Sequence, residues 1–578
     1  MMKNHTFFLP KLLIFLCVLI AHCSFAQTYP QDYFRSPLDI PLKLAATFGE
    51  IRPNHFHAGL DIATDDKEGQ KVYSVADGYV SRIKVSATGY GNALYITHPN
   101  GYTTVYGHLQ RYNDALQAYI KKSQYEKESF DIELFFTPLQ FPVKKGDVVA
   151  FSGNTGGSSG PHLHFEIRDA KTESPINPLL FGFDIPDSSP PIIVSAKLYP
   201  LRRTGRIEGK TESQKFIVTK KSDAFYTLND NLPVKVSGDF GISIEGYDKE
   251  DMMDDHYTIY FMQLMMDGKT RFISQIDKFS FDEQRYVNAH VDYEEMMKTY
   301  EFYKKCFREP NDKLPVYKTK DDGVINISDS LIHSVKIITK DSRGNTSELN
   351  FKIQGDINNH YTTLTHPYPC ITTFPYELPA NFETKDIKIN IPAGILYDTL
   401  CFKYSESKGS WRCFSFLHHV QDIYTPVHSA YNLTIRCATL PLNLQSKALI
   451  ALLDDKGNAS SMGGTYKDGF VSATPNRFGD FAVMVDTLPP TITPINIYQN
   501  KNMANDKTIR VKISDNLSGI KSYRGTINGK WVLMVEDLKT QSLTYTFDEH
   551  TIAGKNTFEL SVIDEKDNKS DFKADFLR

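Results

Sequence analysis

Short runs of alternating hydrophobic and polar residues, separated by glycine-containing turns, make up much of this chain. Between residues 45 and 170 these runs are rich in Val, Ile, Tyr and Thr. Successive side chains of a strand point to opposite faces, so such a run buries one face and leaves the other more polar. The pattern predicts a compact antiparallel β domain in this part of the chain.

A weak internal repeat begins after residue 186. Asp187-Ser188-Ser189-Pro190-Pro191-Ile192 returns as Asp486-Thr487-Leu488-Pro489-Pro490-Thr491-Ile492, and the Asp- and Asn-containing segments 341–345, 454–458 and 564–568 each follow an apolar alternating strand. Turns of this composition connect strands in hairpins. The repeat predicts about three β-sandwich modules without a catalytic group of their own. The last of these modules resembles bacterial immunoglobulin-like modules, so the fold class is mainly β throughout.

The N-terminus predicts a secretory signal. Lys3 and Lys11 give it a positive start, the apolar run 12–21 is too short to span a membrane, and Ser24-Phe25-Ala26 fits a cleavage site. Cys23 suggests a lipoprotein anchor as an alternative. His22 is not the small residue that such an anchor site has before its cysteine, so cleavage after Ala26 is favoured. We expect an exported protein with no transmembrane segment, in the periplasm, in the cell envelope or outside the cell.

The charge of the chain argues against a nucleic-acid partner. Removing Lys3 and Lys11 from the 65 basic residues leaves 63 against 69 acidic residues, a net charge of −6. No basic block or stripe stands out along the sequence. The remaining residues, 27–578, are enough for several domains of about 100–200 residues each.

Three short segments supply four histidines and one aspartate. They are His57-Ala58-Gly59-Leu60-Asp61, Tyr106-Gly107-His108 and His162-Leu163-His164. On a strand that starts at His57, the residues His57, Gly59 and Asp61 share one face, and the glycine is expected to leave space for an ion. His162 and His164 likewise share a face, with Leu163 between them turned to the core.

Two imidazole nitrogens, one carboxylate and an open fourth position are typical of a catalytic zinc site. A structural zinc site has four protein ligands and usually includes cysteine, and no cysteine lies near these segments. The two further histidines would remain for acid–base chemistry. The alternative is a set of unrelated surface or core histidines, which three such segments within one group of strands disfavour.

A longer set of stretches resembles the lysostaphin/LytM-type zinc metallopeptidases of peptidase family M23, most of which cut cross-links or stem peptides of bacterial peptidoglycan. The resemblance covers roughly residues 45–170 and implies that His57, Asp61 and His164 bind one zinc ion. It also implies that His108 and His162 are catalytic, without saying which is the general base. The matching stretches are 48–52, 57–62, 76–80, 89–92, 97–101, 106–109, 145–147, 153–156 and 162–166.

Other residues near these motifs are expected to support the site. His55 and His98 are predicted to serve the fold or orient a ligand rather than to bind the metal. The glycine-rich segment 153–160 lacks the Gly-Lys-Ser/Thr of a phosphate loop, so it predicts close approach of its backbone to an extended peptide.

The predicted domain order starts with the signal at 1–26 and the zinc metallopeptidase domain at 27–186, which carries an insertion at 113–142. The β modules follow at 187–356, 357–487 and 488–578. Residues 113–127 have helical composition, with Leu116, Tyr119, Ile120 and Ser123 on one face. This insertion either lines the substrate cleft or is a surface elaboration. A second helical insertion is predicted at 293–307.

Five cysteines follow the signal, at positions 306, 370, 401, 413 and 437. An exported protein can form disulfides. If a hairpin turns near Ser407, then Cys401 and Cys413 would face each other across its strands; unpaired thiols are the equal alternative.

Two functions fit the sequence. The first is an exported zinc endopeptidase that hydrolyses peptide bonds in peptidoglycan cross-links or stem peptides, with β modules that position the enzyme or bind envelope proteins. The alternative is a non-catalytic envelope scaffold, or an activator of another cell-wall hydrolase, that holds peptide in the same groove. The complete ligand set favours the enzyme, because a pure binder needs no metal.

Overall fold

The computed structural model describes residues 29–578 except 203, 230–231, 253–254, 320 and 357–369. The predicted signal at 1–26 lies outside these residues. Strands account for 45% of the structure and helices for 7%, which confirms the mainly β fold. In the described part of the chain, no helix is long and apolar enough to cross a membrane.

The N-terminal domain is built on a large antiparallel sheet with the strand order β1-β4-β13-β8-β7-β6-β10, to which β11 and β14 add at the sides. A smaller sheet, β5-β12-β9, and the hairpin β2-β3 complete it. The strands are β1 (Leu44–Ala46), β2 (Ile51–Arg52), β3 (His55–Phe56), β4 (Leu60–Ala63), β5 (Lys71–Tyr73), β6 (Gly78–Val85), β7 (Ala93–Thr97), β8 (Tyr102–Gly107), β9 (Arg111–Tyr112), β10 (Ile132–Phe135), β11 (Pro142–Val143), β12 (Val148–Phe151), β13 (His162–Asp169) and β14 (Pro175–Ile176).

Alternation along β4 and β13 fixes which side chains face the core. Leu60, Ile62, Leu163 and Phe165 are at most 1% exposed and lie in one apolar cluster. Burying a side chain of this size contributes roughly 1.5–3 kcal/mol, so a one-residue slip of either strand would be strongly disfavoured. The intervening polar residues of both strands are therefore held on the opposite face.

The insertion of the N-terminal domain contains a helix, α1 (Asp114–Lys127), as the sequence predicts. The Asn113 side chain caps it by accepting a hydrogen bond from the backbone N–H of Leu116 at 3.1 Å. Leu116, Ile120 and Ser123 are buried. Tyr119 differs from the prediction, since it is 41% exposed and packs edge-on against aromatic rings of the same insertion.

The first module after the N-terminal domain encloses its core within a continuous ring of strands, since Val234–Tyr247 pairs with both Ile192–Pro200 and Thr346–Gly355. Its other strands are Arg206–Ile207, Gln214–Ser222, Phe225–Leu228, Phe261–Met266, Lys269–Gln275, Tyr303–Lys305, Ile325–Ile327 and Ile332–Lys340. It also has two short helices, α2 (Val287–His290) and α3 (Tyr293–Thr299). The helix predicted at 293–307 therefore ends at Thr299, and a strand follows.

The two later modules each pack two sheets around an apolar core. In the first of them, one sheet contains Ala380–Glu383, Ile387–Ile391, Asn432–Arg436, Thr465–Lys467 and Phe470–Ala473. The other sheet contains Tyr404–Ser407, Leu417–Val420, Ala448–Leu453, Ala459–Ser461 and Gly479–Val485. A separate pair of strands joins Thr372–Phe374 to Leu400–Phe402. In the last module, one sheet contains Thr491–Pro494, Thr508–Ser514, Met534–Asp537 and Ser542–Thr546, and the other contains Lys501–Asn502, Ile520–Ile527, Lys530–Trp531, Lys555–Asp564 and Lys569–Leu577. Each of these two modules thus has an apolar core of its own.

The disulfide links Cys401 to Cys370, so the pairing of Cys401 with Cys413 is wrong. Cys401 lies on a strand that pairs with Thr372–Phe374, which brings it beside Cys370. The hairpin that follows pairs Ser407 with Leu417, so Cys413 lies within its connecting loop. Among the described cysteines, Cys306, Cys413 and Cys437 are unpaired.

Candidate metal centre

The candidate metal ligands meet at the ends of two paired strands. In the antiparallel register of β4 and β13, Asp61 lies opposite His164. The third residue, His57, lies in the turn between β3 and β4. His57 therefore reaches Asp61 from a turn, because the strand begins at Leu60 rather than at His57.

Gly59 has a different role from the one the sequence suggested. A Cβ at this position would lie 2.4 Å from the carbonyl oxygen of Phe165 and 2.8 Å from a side-chain carbon of Glu166. The glycine therefore allows the turn to pack against the backbone of β13, and it does not open space for an ion.

Three ligand atoms converge on one point. His57 Nε2 lies 3.1 Å from Asp61 Oδ1 and 3.1 Å from His164 Nδ1, and His164 Nδ1 lies 2.8 Å from Asp61 Oδ1. Ligands held about 2.0–2.2 Å from a tetrahedral zinc ion are about 3.3–3.6 Å apart. The cluster is slightly tighter than this spacing, so a small outward shift of the side chains would admit the ion.

The electrostatics of the cluster also fit a cation. Burial opposes ionisation of Asp61, but the imidazoles of His57, His162 and His164 hold the pKa of its carboxyl group well below the usual range. Burial likewise opposes the charged form of His164, but its hydrogen bonds with Asp61 and Glu166 raise its pKa to about 9. Both shifts show that the cluster favours positive charge where the three ligand atoms meet.

Hydrogen bonds on the far side of each imidazole fix which nitrogen faces this point. His57 Nδ1 donates to the backbone carbonyl of Thr47 at 2.8 Å, which leaves Nε2 facing the cluster. His164 Nε2 donates to Glu166 Oε1 at 2.9 Å, which leaves Nδ1. The other oxygen of Glu166 accepts from Arg168 Nε at 2.6 Å. Such outer contacts orient metal-binding histidines and raise their basicity.

Glu166 and Arg168 are functional candidates that the sequence argument did not identify. Both are at most 4% exposed, and burial of Glu166 is offset by Arg168 and His164, which lower its pKa to about 2. The signal was their alternation with His164 along β13, where polar residues occupy every second position of a buried strand. The Thr47 carbonyl had no signal, since a backbone contact leaves no mark on residue type.

His108 lies beside the cluster, directly after β8. Its backbone has a φ of +57°, a conformation that is uncommon for residues other than glycine and is found often at functional sites. Its Nδ1 donates to the carbonyl oxygen of Thr155 at 2.8 Å, which leaves Nε2 without a proton. Burial, together with His164 and His162, lowers the pKa of His108 to about 3, so the ring is neutral.

His162 lies on the other side of Asp61, and its ring centroid is 4.8 Å from that of His108. Its Nδ1 donates to the backbone carbonyl of Gly160 at 2.8 Å. Its Nε2 lies 3.3 Å from Asp61 Oδ1 and has no hydrogen-bond partner among the described residues, although it is buried. Both additional imidazoles thus present a free Nε2 next to the candidate metal position.

The structure places the remaining candidates outside the cluster. The His98 ring is buried between the carbonyl of Asp77 at 2.9 Å and the hydroxyl of Thr104 at 2.8 Å, so it serves the fold. His55 is exposed and contacts the carbonyl of Pro53. In the glycine-rich segment, a Cβ at Gly156 would lie 2.3 Å from the backbone nitrogen of Gly91, so this glycine is required for contact between two loops of the domain.

The chain matches two family models. Residues 55–125 and 140–178 match Peptidase family M23, and the unmatched interval lies within the predicted insertion. Residues 371–486 match a Zu5-like domain.

The curated relatives are similar to about a quarter of this chain. The DD-carboxypeptidase/endopeptidase Mpg of Neisseria meningitidis serogroup B is 34% identical over 131 residues, which are 23% of this chain and 24% of the relative. The peptidoglycan DD-endopeptidase ShyC of Vibrio cholerae is 30% identical over 142 residues, covering 23% of this chain and 26% of the relative. The chain thus spans about a quarter of the length of the curated relatives it matches.

Among solved structures, the catalytic domain of lysostaphin from Staphylococcus simulans is 22% identical, with 24% of this chain and 91% of that chain covered and a TM-score of 0.19. The family model matches the segments that carry the four histidines and Asp61. The peptidase region of this chain, residues 55–125 and 140–178, belongs to peptidase family M23.

Proposed function

We propose that this chain is a zinc-dependent endopeptidase of the bacterial cell envelope that hydrolyses peptide bonds in peptidoglycan cross-links or stem peptides. The observation that carries the proposal is the convergence of His57 Nε2, His164 Nδ1 and Asp61 Oδ1 within 3.1 Å of one another, beside two imidazoles with a free Nε2. Relatives that share this region are named as enzymes acting on peptidoglycan, which supports the substrate class.

His57, Asp61 and His164 would hold the zinc ion. Zinc bound to two nitrogens and one carboxylate oxygen keeps a position open, acts as a Lewis acid toward a carbonyl group and activates water near neutral pH. Glu166 and the Thr47 carbonyl keep the two ligand imidazoles in the required orientation. Glu166 is fully buried, which restricts the movement of its side chain.

The two remaining histidines would move protons. An imidazole whose Nδ1–H is fixed by a carbonyl, as in His108 and His162, would accept a proton from the attacking water at an unprotonated Nε2. The proton then passes to the leaving amine. The second imidazole, when it enters the reaction already protonated, would donate a hydrogen bond to the oxyanion of the tetrahedral intermediate and keep its proton. The matched geometry of the pair supports the proposal that these two residues share both roles.

The ligand assignment is tested by the zinc content of the purified full-length protein and of two variants. We expect about one zinc ion per chain in the wild type, and sharply reduced zinc in His57→Ala and His164→Ala, since each removes one of three ligands. His98→Ala is the matched control, because it removes a buried histidine that serves the fold. Full zinc occupancy in either ligand variant would contradict the assignment.

The substrate assignment is tested by digestion of purified peptidoglycan and mass analysis of the released fragments. We expect fragments that arise from cleavage within cross-links or stem peptides. These fragments should not form after zinc has been removed from the protein. A protein that binds zinc and peptidoglycan without releasing such fragments would instead be the scaffold or activator that the sequence left as the alternative.

A further inference from the structure

The junction between the peptidase domain and the first β module contains a cluster of acidic side chains that the peptidase site does not use. One oxygen atom each of Asp187, Asp248 and Asp341 lies within 4.8 Å of the other two. Asp187 belongs to the linker after the peptidase domain, while Asp248 and Asp341 directly follow the strands Val234–Tyr247 and Ile332–Lys340. A linker and two strand ends therefore meet at these carboxylates.

Asp248 distinguishes this cluster from a group of exposed acids. Its side chain is only 6% exposed, and its Oδ1 accepts no hydrogen bond from any residue that the structure describes. A buried carboxylate oxygen without a hydrogen-bond partner is costly unless a cation or a proton compensates the charge. The Asp248 carboxylate that carries this oxygen belongs to the same converging group as Asp187 and Asp341.

Asp341 is held in place as a buried carboxylate with several hydrogen-bond donors. Its Oδ1 accepts hydrogen bonds from the backbone N–H groups of Arg343, Gly344 and Asn345 at 2.8, 2.6 and 2.9 Å. Its Oδ2 accepts from the Asn345 amide at 2.6 Å, and the same amide donates to the backbone carbonyl of Asp187 at 3.2 Å. The turn therefore fixes Asp341 and the linker relative to each other.

The charges of the cluster are poorly compensated by the protein itself. Burial and the neighbouring carboxylates raise the pKa of Asp187 to about 7, of Glu250 to about 8 and of Asp248 to about 9. The nearest arginine, Arg343, directs its guanidinium group to the backbone carbonyl of Phe183 at 2.7 Å. Around neutral pH the site thus favours an added positive charge.

The junction before the last module has the same Asn-to-Asp backbone hydrogen bond and serves as an internal comparison. There Asn568 donates to the backbone carbonyl of Asp486 at 3.0 Å, as Asn345 does to Asp187. The acids of this second cluster have more partners, since Asp486 accepts from the N–H of Ser518 and Asp515 accepts from two backbone N–H groups. Asp515 as a whole is partly exposed, unlike Asp248, although its Oδ1 is buried and has no hydrogen-bond partner among the described residues.

We propose that Asp187, Asp248 and Asp341 bind a divalent cation of the calcium class at the junction of the peptidase domain and the first β module. Oxygen ligands 2.3–2.6 Å from a calcium ion are at most about 5 Å apart, which fits the observed spacing. The donors are carboxylates only, which suits a hard cation rather than zinc. Mg²⁺ fits less well, because it retains several waters and is usually held by one or two carboxylates.

The ion would tie the linker to the module. Asp187 precedes the module, whereas Asp248 and Asp341 end two of its strands, so one ion bound by all three would restrict bending at the junction. The adjacent Tyr257 already contacts the peptidase domain, since its hydroxyl donates to the carbonyl of Leu44 at 2.7 Å. Calcium binding is therefore expected to stabilise the arrangement of the two domains.

Calorimetric titration of CaCl₂ into the full-length protein tests the proposal. The protein is first dialysed against EGTA and then supplied with one equivalent of zinc, so that the peptidase site does not contribute. We expect about one calcium ion per chain in the wild type and in Asp515→Asn, which alters the second junction, and none in Asp248→Asn. No saturable binding to the folded wild type, or unchanged binding in Asp248→Asn, would overturn the proposal. Magnesium that binds as tightly as calcium would overturn the calcium class.

Thermal unfolding separates a cation ligand from a merely structural aspartate. Without calcium, Asp248→Asn should melt at the same temperature as the wild type or higher, because the amide needs neither a proton nor a cation to compensate a buried charge. At a hundredfold excess of calcium over its dissociation constant, the wild type should gain roughly 5–10 °C and the variant nothing. A variant that melts lower without calcium and still gains stability from it would show that Asp248 is a structural residue, against the proposal.

Discussion

The ammonium group of Lys539, in the last β module, donates hydrogen bonds to the backbone carbonyl of Asn154 and to its side-chain oxygen, the latter at 3.2 Å. Asn154 precedes Thr155, whose carbonyl oxygen orients His108. The two residues of this contact are 385 positions apart in the sequence. The C-terminal module thus touches the loop that positions one of the two proposed catalytic histidines.

Lys539→Ala should reduce kcat/KM on a soluble peptide by roughly 3–10-fold, because a small displacement of the Asn154–Thr155 loop misaligns His108. Zinc content should not change, since no metal ligand touches this loop. Lys530→Ala, which removes another exposed lysine of the same module, is the control and should be neutral. Equal rates for both variants would mean that the loop holds its position without the module.

Removing all residues after 186 should affect catalysis as well as targeting. The sequence suggested that the modules only position the enzyme, but Phe48 and Phe56 of the peptidase domain pack against Phe279 of the first module at ring distances of 4.9 and 5.3 Å. We expect the truncated protein to melt at a lower temperature than the full chain and to cleave a small peptide more slowly, while still binding zinc. A folded truncation with the full rate would contradict this expectation.

The insertion helix α1 also contacts the last β module. Tyr125 stacks on His550 at a ring distance of 4.5 Å and donates to Asp548 at 2.5 Å, while Lys121 pairs with Asp548 and Glu549. The helix, the 154–156 loop and the last module together enclose a cavity of about 380 Å³. The sequence left open whether the insertion lines the cleft or is a surface elaboration, and the structure shows that it docks a module.

Much of the site could be predicted because it depends on strand periodicity. Asp61 and His164 lie opposite each other because the apolar alternation of β4 and β13 permits only one register. The helix at residues 114–127 was predictable from its own sequence for a similar reason, since its cap and its buried face are local.

The features that sequence reasoning missed depend on contacts that no local pattern encodes. The contacts of Lys539 with Asn154 and of Cys401 with Cys370 follow from how modules and strands pack. Gly59 was misread because its neighbour, the carbonyl of Phe165, belongs to a strand a hundred residues away. Close approach of distant backbone is visible in the sequence only as a glycine.

Glu166→Gln should weaken zinc binding by roughly 10–100-fold, because the carboxylate that accepts the His164 Nε2–H is replaced by a neutral amide. Competition with a chromophoric chelator measures this loss. Glu173→Gln is the matched control. Glu173 is a surface residue whose carboxylate lies 3.5 Å from the guanidinium of the same Arg168, and it does not hydrogen-bond to His164. Zinc affinity that is equally reduced in both variants would indicate that Arg168, rather than the contact with His164, is responsible.

His108→Ala and His162→Ala should retain zinc and lose most of the activity. General acid–base catalysis contributes roughly 10²–10⁴-fold, so each variant should lose kcat within that range. Zinc content and peptide cleavage measured on the same samples check both parts. If either variant lost its zinc while His57→Ala kept it, the assignments of metal ligands and proton-transfer residues would have to be exchanged.

The acidic junction predicts an unusual pH dependence of stability in calcium-free buffer. The folded-state pKa values of Asp187, Glu250 and Asp248, about 7, 8 and 9, exceed the value of about 4 expected in the unfolded chain. The native state therefore binds more protons than the unfolded state between about pH 4 and pH 9, so stability falls as the pH rises through this range. Arg343 and Asp251 also face the cluster. Hydrogen bonds from Ser188 and Ser189 lower the pKa of Asp251, so this carboxylate stays charged throughout the range.

Melting temperatures of the full chain in EGTA, measured from pH 6 to pH 8.5, check this sign. Because other groups titrate as well, the informative quantity is the difference between the wild type and Asp248→Asn. The wild type should lose more stability than the variant as the pH rises, and saturating calcium should remove this difference, since the ion replaces the protons that compensate the carboxylates. A wild type whose stability rises relative to the variant over this range would show that the buried carboxylates of the junction are already compensated by the protein itself.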